Sequence, residues 1–167
     1  YYENNNIRRW GAHGTSHRFV SARVAEFLGQ NVEDLKIITC HIGNGASITA
    51  VKDGKCFETS MGLTPLEGMM MGTRPGDIDA SAVLAIMKAE GYDADRMSDL
   101  LNKESGVLGI SGVSSDMREV KDAADNGNER AKLALEMYSH RIKKYIGSYA
   151  AIMGGVDVIV FTAGVGE

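Results

Sequence analysis

The chain has 167 residues, enough for one domain with a sizeable core, and 44% of them are hydrophobic, as is usual for a globular protein. A net charge of −4 provides no basic patch for nucleic acid, no apolar run is long enough to cross a membrane, and no secretory signal is visible. The two cysteines, Cys40 and Cys56, fit a reduced, cytoplasmic protein in which both are small buried apolar residues.

Both ends of the sequence indicate that it is a piece of a longer protein. Tyr1 stands where Met would begin a chain, and Ala163–Glu167 has the composition of a turn that leads into a helix. We therefore expect residues 1–167 to form a single domain that is cut at both ends.

The first predicted elements are a strand and turn at Ile7–His13 and a helix that ends at Leu28. Thr15 or Ser16 is a suitable N-cap for this helix, and Gly29 is a suitable stop. Apolar residues recur at helical spacing and predict its buried face, which consists of Phe19, Val20, Val24, Phe27 and Leu28.

Three strands are predicted next, as an antiparallel meander at about Lys36–Gly43, Ala46–Lys52 and Lys55–Met61. Asn44-Gly45 and Asp53-Gly54 are typical of the tight turns that join such strands. At the first turn, little side-chain bulk surrounds the backbone N–H groups, so they could contact an anion such as a nucleotide phosphate. Most Asn-Gly hairpins are turns only, and this motif alone leaves both interpretations open.

The second half is predicted to be mainly helical. A long glycine-rich loop, Met61–Asp77, precedes helices that begin after Asp79, near Ala94 and near Asp116. Ser105–Ser115 is a Gly/Ser segment before the last of these, where Glu119 would complete a capping box with Asp116.

A long helix at about Glu129–Met153 and a final strand at Val156–Thr162 complete the prediction. The apolar spacing of the helix predicts a buried side formed by Leu135, Tyr138, Ile142, Tyr145, Ile146, Tyr149 and Ile152. The final run is mostly apolar, as expected of a buried parallel strand. A meander followed by a parallel strand predicts a mixed sheet with helices packed against it.

Five motifs occur in an order that resembles the acetokinase family. They are Gly11–His17, His41–Gly45, Gly72–Asp77, Ser115–Arg118 and Thr162–Glu167. The resemblance covers essentially the whole chain. It implies an α/β, ribonuclease-H-like mixed sheet with flanking helices, as in actin-like ATPases and sugar kinases, and it implies that this chain is most of the C-terminal lobe of a two-lobed kinase.

The resemblance also implies a reaction, the reversible ATP-dependent phosphorylation of acetate to acetyl phosphate. ATP or ADP and Mg²⁺ are the implied cofactors, with metal ligands expected outside this sequence, and a homodimer is the usual assembly. Because part of the interlobe site would lie outside residues 1–167, the isolated chain is expected to be inactive. Propionate or butyrate kinase is the alternative within the class, and a non-catalytic nucleotide-binding module is the alternative from another class.

Residue roles follow from the resemblance motif by motif. His13 and Arg74 would stabilise the transferring phosphoryl group, and Ala12 and Pro65 would lie beside the pocket for the acetate methyl group. The nucleotide would be contacted by three segments, namely His41, Ile42, Gly43, Asn44 and Gly45; Asp116, Met117 and Arg118; and Gly164, Val165, Gly166 and Glu167.

The catalytic roles have ordinary structural alternatives. Arg74 suits phosphoryl transfer because its guanidinium stays charged and offers a planar fork of donors, but a surface ion pair with Asp77 or Asp79 would also explain it. His13 could donate a hydrogen bond to a phosphoryl oxygen in either protonation state, or it could be a structural turn histidine.

Other polar and soft residues are also open to simpler explanations. His41 could lie near the phosphates or be a satisfied core histidine, and Asp116 is first of all a helix cap. We interpret His17 as structural and Met69–Met71 as core filling.

Overall fold

The computed structural model describes residues 1–166 of the chain. Within these residues, no helix is long and apolar enough to cross a membrane. The helices are α1 (Tyr2–Asn5), α2 (Gly14–Leu28), α3 (Ala80–Glu90), α4 (Ala94–Lys103), α5 (Gly106–Ser111), α6 (Met117–Asp125) and α7 (Glu129–Met153), with a 3-10 turn at Val32–Asp34. The strands are β1 (Ile37–Ile42), β2 (Ala46–Lys52), β3 (Lys55–Thr59) and β4 (Val158–Thr162).

The four strands form one mixed sheet in the order β3-β2-β1-β4. β1 pairs antiparallel with β2 and parallel with β4, and β2 pairs antiparallel with β3. This confirms the predicted meander and the later parallel strand. Helices α2 and α7 both contact the sheet.

The two faces of the sheet differ in chemistry because side chains alternate along each strand. Ile38, Cys40 and Ile42 of β1 belong to the main apolar core together with residues of α7. The intervening residues Thr39 and His41 point the other way. The register pairs them with Thr49 and Ser47 of β2, so this second face carries a polar strip.

The polar strip explains why the predicted apolar face of α2 was only partly right: Val24 packs against a small apolar cluster, but other predicted residues are exposed. The buried residues of α2 are His17, Ser21 and Ala25, which follow one another at a spacing of four. Phe19 is 65% exposed and Phe27 is 87% exposed. The helical spacing of α2 was predicted correctly. The face of α2 that packs on the hydroxyls and imidazoles of the sheet is, however, itself largely polar.

The N-terminal segment also differs from the prediction. Residues Tyr2–Asn5 form a short helix, and no strand forms at positions 7–13 within the described chain. Helix α2 begins at Gly14 with His13 as its N-cap and no side-chain capping bond, so neither Thr15 nor Ser16 caps it. Trp10 instead ties this segment to the long loop, because its N–H donates to the Gly62 carbonyl at 3.2 Å.

Four further predictions of burial or local structure were wrong. Strand β4 alternates between half-buried and exposed residues, since it lies at the edge of the described sheet. Cys56 is exposed, and Ile152 is 48% exposed near the end of α7. The Gly/Ser segment 105–115 contains helix α5.

Helix α6 begins where the sequence predicts, but without a capping box. Asp116 accepts from the Arg118 N–H at 2.9 Å. The Asp116 N–H donates to Ser114 Oγ at 3.0 Å rather than to Glu119. Met69–Met71 is buried, which confirms its core-filling role.

Candidate active site

Three histidines gather where the start of α2 meets the polar face of the sheet. Ser47 Oγ lies 2.8 Å from His13 Nδ1 and 2.7 Å from His17 Nε2, so one hydroxyl bridges two rings. His17 Nδ1 lies 2.7 Å from Thr39 Oγ1, which places this ring fully within the buried strip. Both ring nitrogens of His17 are therefore used inside the protein, which supports its structural role.

His41 forms the second layer of this histidine cluster. Its ring stacks on that of His13 with centroids 4.1 Å apart and an interplanar angle of 20°. Its Nδ1 lies 2.8 Å from Ser16 Oγ. The two stacked rings are held from opposite sides, His13 by Ser47 and His41 by Ser16.

Burial lowers the pKa of all three imidazoles. Loss of solvent lowers the pKa of His17 to about 4. The pKa of His13 is also lowered, first by burial and then by the nearby His41 and Arg74. Burial lowers the pKa of His41 as well. Arg74 is therefore the permanent positive charge beside the histidine cluster, and it could attract a negatively charged ligand.

Arg74 lies at the tip of the β1–β2 hairpin beside His13. A Cβ placed on Gly45 would lie 3.7 Å from both Arg74 Nη1 and His13 Nε2, so the two groups flank the same turn. The guanidinium is tethered by a hydrogen bond from Nη1 to the Pro65 carbonyl at 3.1 Å. Pro65 is thus brought beside the predicted catalytic arginine.

Among residues 1–166, the guanidinium of Arg74 has no acidic partner. No carboxylate of residues 1–166 lies within 4.0 Å of it, whereas Asp77 lies 3.6 Å from Arg141 and accepts from Tyr145 Oη at 2.7 Å. The alternative of a surface ion pair with Asp77 or Asp79 was therefore wrong. A half-buried arginine that keeps its charge free is suited to binding an anion.

Helix α5 holds the loop that carries Arg74. The Val107 and Leu108 N–H groups of its first turn donate to the Met71 and Gly72 carbonyls, each at 2.9 Å. The Gly72 N–H in turn donates to the Asn44 carbonyl at 3.2 Å, and so the loop is attached to the hairpin tip. A Cβ at Gly72 would lie 2.1 Å from Asn44 Oδ1 and 3.1 Å from the Ser115 carbonyl, so any larger residue would displace the Asn44 side chain.

A cleft of about 530 Å³ opens next to the hairpin tip. Its walls come from the hairpin, the Arg74 loop, the start of α6, helix α7 and the loop after β4. The lining residues are Gly43, Asn44, Gly72, Ser115, Asp116, Met117, Arg118, Tyr138, Gly164 and Val165.

Local bonds shape two of these walls. Asp116 Oδ2 accepts from Arg118 Nη2 at 2.6 Å, and this bond is the main reason that the pKa of Asp116 is lowered to about 2. The N–H groups of Val165 and Gly166 donate to the Ile42 carbonyl at 2.9 and 3.1 Å, which attaches the loop after β4 to the end of β1.

The predicted site residues therefore separate into two adjoining groups. His13, His41, Gly45, Pro65 and Arg74 surround the hairpin tip, while seven of the predicted nucleotide-contacting residues line the cleft, namely Gly43, Asn44, Asp116, Met117, Arg118, Gly164 and Val165.

The remaining predicted residues are placed differently. The Ile42 side chain is 2% exposed in the core, so only its backbone faces the site. Ala12 packs partly against the core, and Gly166 supports the loop rather than lining the cleft. Glu167 lies outside the described residues.

Sequence reasoning missed the hydroxyls that hold the histidines. Ser16 and Ser47 are separated by the whole of α2 and β1, and no local motif links them. The only signal available was the hairpin register, which sets Ser47 directly opposite His41. Among residues 1–166, no group of three or more His, Cys, Asp or Glu side chains is arranged to hold a metal ion.

Comparison with known proteins identifies the family. The family model described as the acetokinase family matches residues 1–167. The chain belongs to the acetokinase family. It is 69% identical to an acetate kinase of Bacteroides thetaiotaomicron over 99% of this chain and 42% of that protein. The chain thus spans about 42% of the length of the curated acetate kinases that it matches.

Solved structures of the acetokinase family share this fold. A crystal structure of Porphyromonas gingivalis acetate kinase matches with a TM-score of 0.98 at 61% identity, over 99% of this chain and 42% of that chain. A propionate kinase from Francisella tularensis matches with a TM-score of 0.93 at 49% identity and the same coverage. These matches confirm the predicted ribonuclease-H-like α/β fold of the actin-like ATPase superfamily.

Proposed function

We propose that this chain supplies one wall of the active site of an acetate kinase, which transfers a phosphoryl group reversibly between ATP and acetate. The observation that carries the proposal is the unpaired Arg74 guanidinium beside His13 Nε2, at the hairpin tip that borders the cleft. Relatives 60–69% identical over 99% of the chain are acetate kinases, which supports the same reaction.

Arg74 is suited to the charge that develops during phosphoryl transfer. In most such reactions the transition state is loose, and charge is spread over the equatorial oxygens of the transferring group. A fixed guanidinium stabilises this charge without reorganising, since the Pro65 carbonyl already holds Nη1. Arg74 would therefore lower the barrier by electrostatic stabilisation rather than by proton transfer.

His13 would act through Nε2, because Nδ1 is committed to Ser47. Thr39 Oγ1 donates to the Thr49 carbonyl at 3.4 Å, so it accepts from His17 Nδ1. Ser47 then donates to His17 Nε2 and accepts from His13 Nδ1. This assignment of donors and acceptors allows all of these hydrogen bonds to form at once.

The direction of these hydrogen bonds determines how His13 would bind a phosphoryl oxygen. With its proton on Nδ1, a neutral His13 presents an acceptor at Nε2, and a hydrogen bond to the anion requires a second proton there. An arriving anion would raise the lowered pKa of His13 and draw in that proton. In this arrangement of hydrogen bonds, His13 would donate to the anion only when doubly protonated, whereas the sequence leaves donation possible in either protonation state.

The cleft beside the hairpin is the proposed nucleotide site. Glycine backbone at positions 43, 72 and 164 allows a ligand to approach closely, and the Arg118 guanidinium lies at the rim in an ion pair with Asp116. Mg²⁺ ligands outside this sequence stay a prediction from the resemblance. A homodimer stays a prediction from the resemblance, and a cytoplasmic location stays a prediction from the two cysteines.

Arg74→Ala in the complete polypeptide tests the phosphoryl-transfer role. We expect kcat for acetyl phosphate formation to fall about 10²- to 10³-fold, as when a single preorganised donor is removed from a transition-state site. Arg23→Ala is the matched control, since Arg23 is an exposed residue of α2 paired with Glu26. Unchanged turnover in Arg74→Ala would refute the role.

The same assay separates acetate from its homologues. The propionate kinase match at 49% identity makes propionate kinase the second candidate. We expect kcat/KM to be highest with acetate when acetate, propionate and butyrate are compared. A higher value for propionate would favour the second candidate, and no turnover of any acid, despite nucleotide binding, would favour a non-catalytic module.

A further inference from the structure

Tyr138 of α7 has a buried hydroxyl with an unused hydrogen-bonding capacity. The residue is 4% exposed, and its Oη is the one buried side-chain polar atom of residues 1–166 that has no hydrogen-bond partner. Burial raises the pKa of the phenol to about 12, so the O–H remains a donor at neutral pH. Native proteins rarely leave such a group unsatisfied, because its desolvation is not compensated.

The location of Tyr138 points to a ligand as the missing partner. Tyr138 lines the cleft together with the hairpin residues Gly43 and Asn44 and the α6 residues Met117 and Arg118. The other tyrosines of α7 do not line this cleft. Tyr145 donates to Asp77 at 2.7 Å, and Tyr149 packs against Tyr145 with ring centroids 5.6 Å apart.

We propose that Tyr138 is a nucleotide-binding residue whose hydroxyl donates a hydrogen bond to bound ATP or ADP. The proposal rests on the assignment of this cleft to the nucleotide. An oxygen or ring nitrogen of a nucleoside polyphosphate supplies the acceptor that the protein itself lacks at this position. The apolar spacing of α7 indicated only a core residue here, and the free hydroxyl adds a binding role to that packing role.

Tyr138→Phe removes the hydroxyl and leaves the ring in place. We expect the Kd for ADP, measured by titration calorimetry on the complete polypeptide, to rise about fivefold, the effect of one net hydrogen bond. The melting temperature of the ligand-free variant should be unchanged or higher, because an unsatisfied group has been removed. Its rise on adding ADP should be smaller than in the unmodified protein.

Tyr149→Phe is the matched control, since Tyr149 is an equally buried tyrosine of the same helix away from the cleft. We expect it to bind ADP as the unmodified protein does. If the unmodified protein binds ADP and Tyr138→Phe binds it with the same Kd, the proposal is overturned while the proposed function stands. If the unmodified protein binds no nucleotide, both fail together.

Discussion

At the scale of single residues, Ser47 joins His13 and His17 into one hydrogen-bonded unit. His17 is 4% exposed and has both ring nitrogens bonded, whereas His13 is half-buried and keeps Nε2 free toward the hairpin tip. The buried ring thus positions the accessible one through a single hydroxyl. Such an arrangement restricts the orientation of His13 before any ligand arrives, which reduces the reorganisation needed on binding.

His17 should make the protein sensitive to acid. Its pKa is about 4 in the folded protein and near 6.5 in the unfolded chain, so between these values only the unfolded chain takes up the proton. The resulting stability is fully present above pH 6.5 and is lost as the pH falls toward 4. The shift corresponds to about 3 kcal/mol of unfolding free energy.

His17→Gln removes this titration, and urea unfolding from pH 7 to pH 4 measures the effect. We expect the variant to be less stable at pH 7 but to lose less stability on acidification. His140→Gln, an exposed position on α7, is the control and should keep the full pH dependence. Equal slopes in His17→Gln and the unmodified protein would contradict the assignment.

At the scale of secondary-structure elements, features set by adjacent residues were predicted correctly, whereas features set by tertiary contacts were not. The hairpin turns at Asn44-Gly45 and Asp53-Gly54 are specified by adjacent residues, so the meander was predictable. The buried side of α2 was not, because it depends on the polar strip of a sheet formed later in the sequence. Helix α5 was not predicted from the sequence, because glycines lie at both of its ends.

The same distinction between local motifs and tertiary contacts applies to the candidate site. Arg74 and the hairpin were found because their motifs are continuous in sequence. The roles of Ser47 and Tyr138 depend on strand register and on a cleft between five segments, and no local pattern carries that information.

Gly106→Ala should dislodge the loop that carries Arg74. Gly106 has a φ of +63°, and a Cβ there would lie 2.2 Å from the Met71 carbonyl oxygen and 2.7 Å from the Arg74 N. These are backbone atoms that cannot move aside cheaply. We expect a loss of more than about 3 kcal/mol of unfolding free energy, with a fall in kcat from displacement of Arg74.

Gly112→Ala separates steric clash from backbone strain. Gly112 ends the same helix with a φ of +68°, but a Cβ there would meet only the Arg130 side chain at 3.8 Å. It should therefore lose only about 1 kcal/mol, the cost of the left-handed conformation. Denaturant unfolding compares the two variants, and equal losses would show that packing against the Arg74 loop is unimportant.

At the scale of the whole molecule, Asp77 connects the loop that carries Arg74 to the longest helix, α7. Asp77 Oδ1 accepts from the Gly68 N–H at 3.0 Å, which closes the loop on itself. Asp77 Oδ2 accepts from Tyr145 Oη at 2.7 Å and lies 3.6 Å from Arg141 Nη1. The loop that carries Arg74 is therefore attached to α7, which also places Tyr138 in the wall of the cleft.

Tyr145→Phe tests this connection between loop and helix. Removing a hydroxyl that donates to a carboxylate should lower the unfolding free energy by about 1–2 kcal/mol, since Asp77 keeps Arg141 and the Gly68 N–H as partners. Because the loop becomes less restrained, kcat should fall several-fold while the Kd for ADP, set by the separate cleft, stays the same. Tyr149→Phe serves again as the control. A change in ADP affinity with kcat intact would mean that Asp77 and Tyr145 shape the nucleotide cleft instead of the position of Arg74.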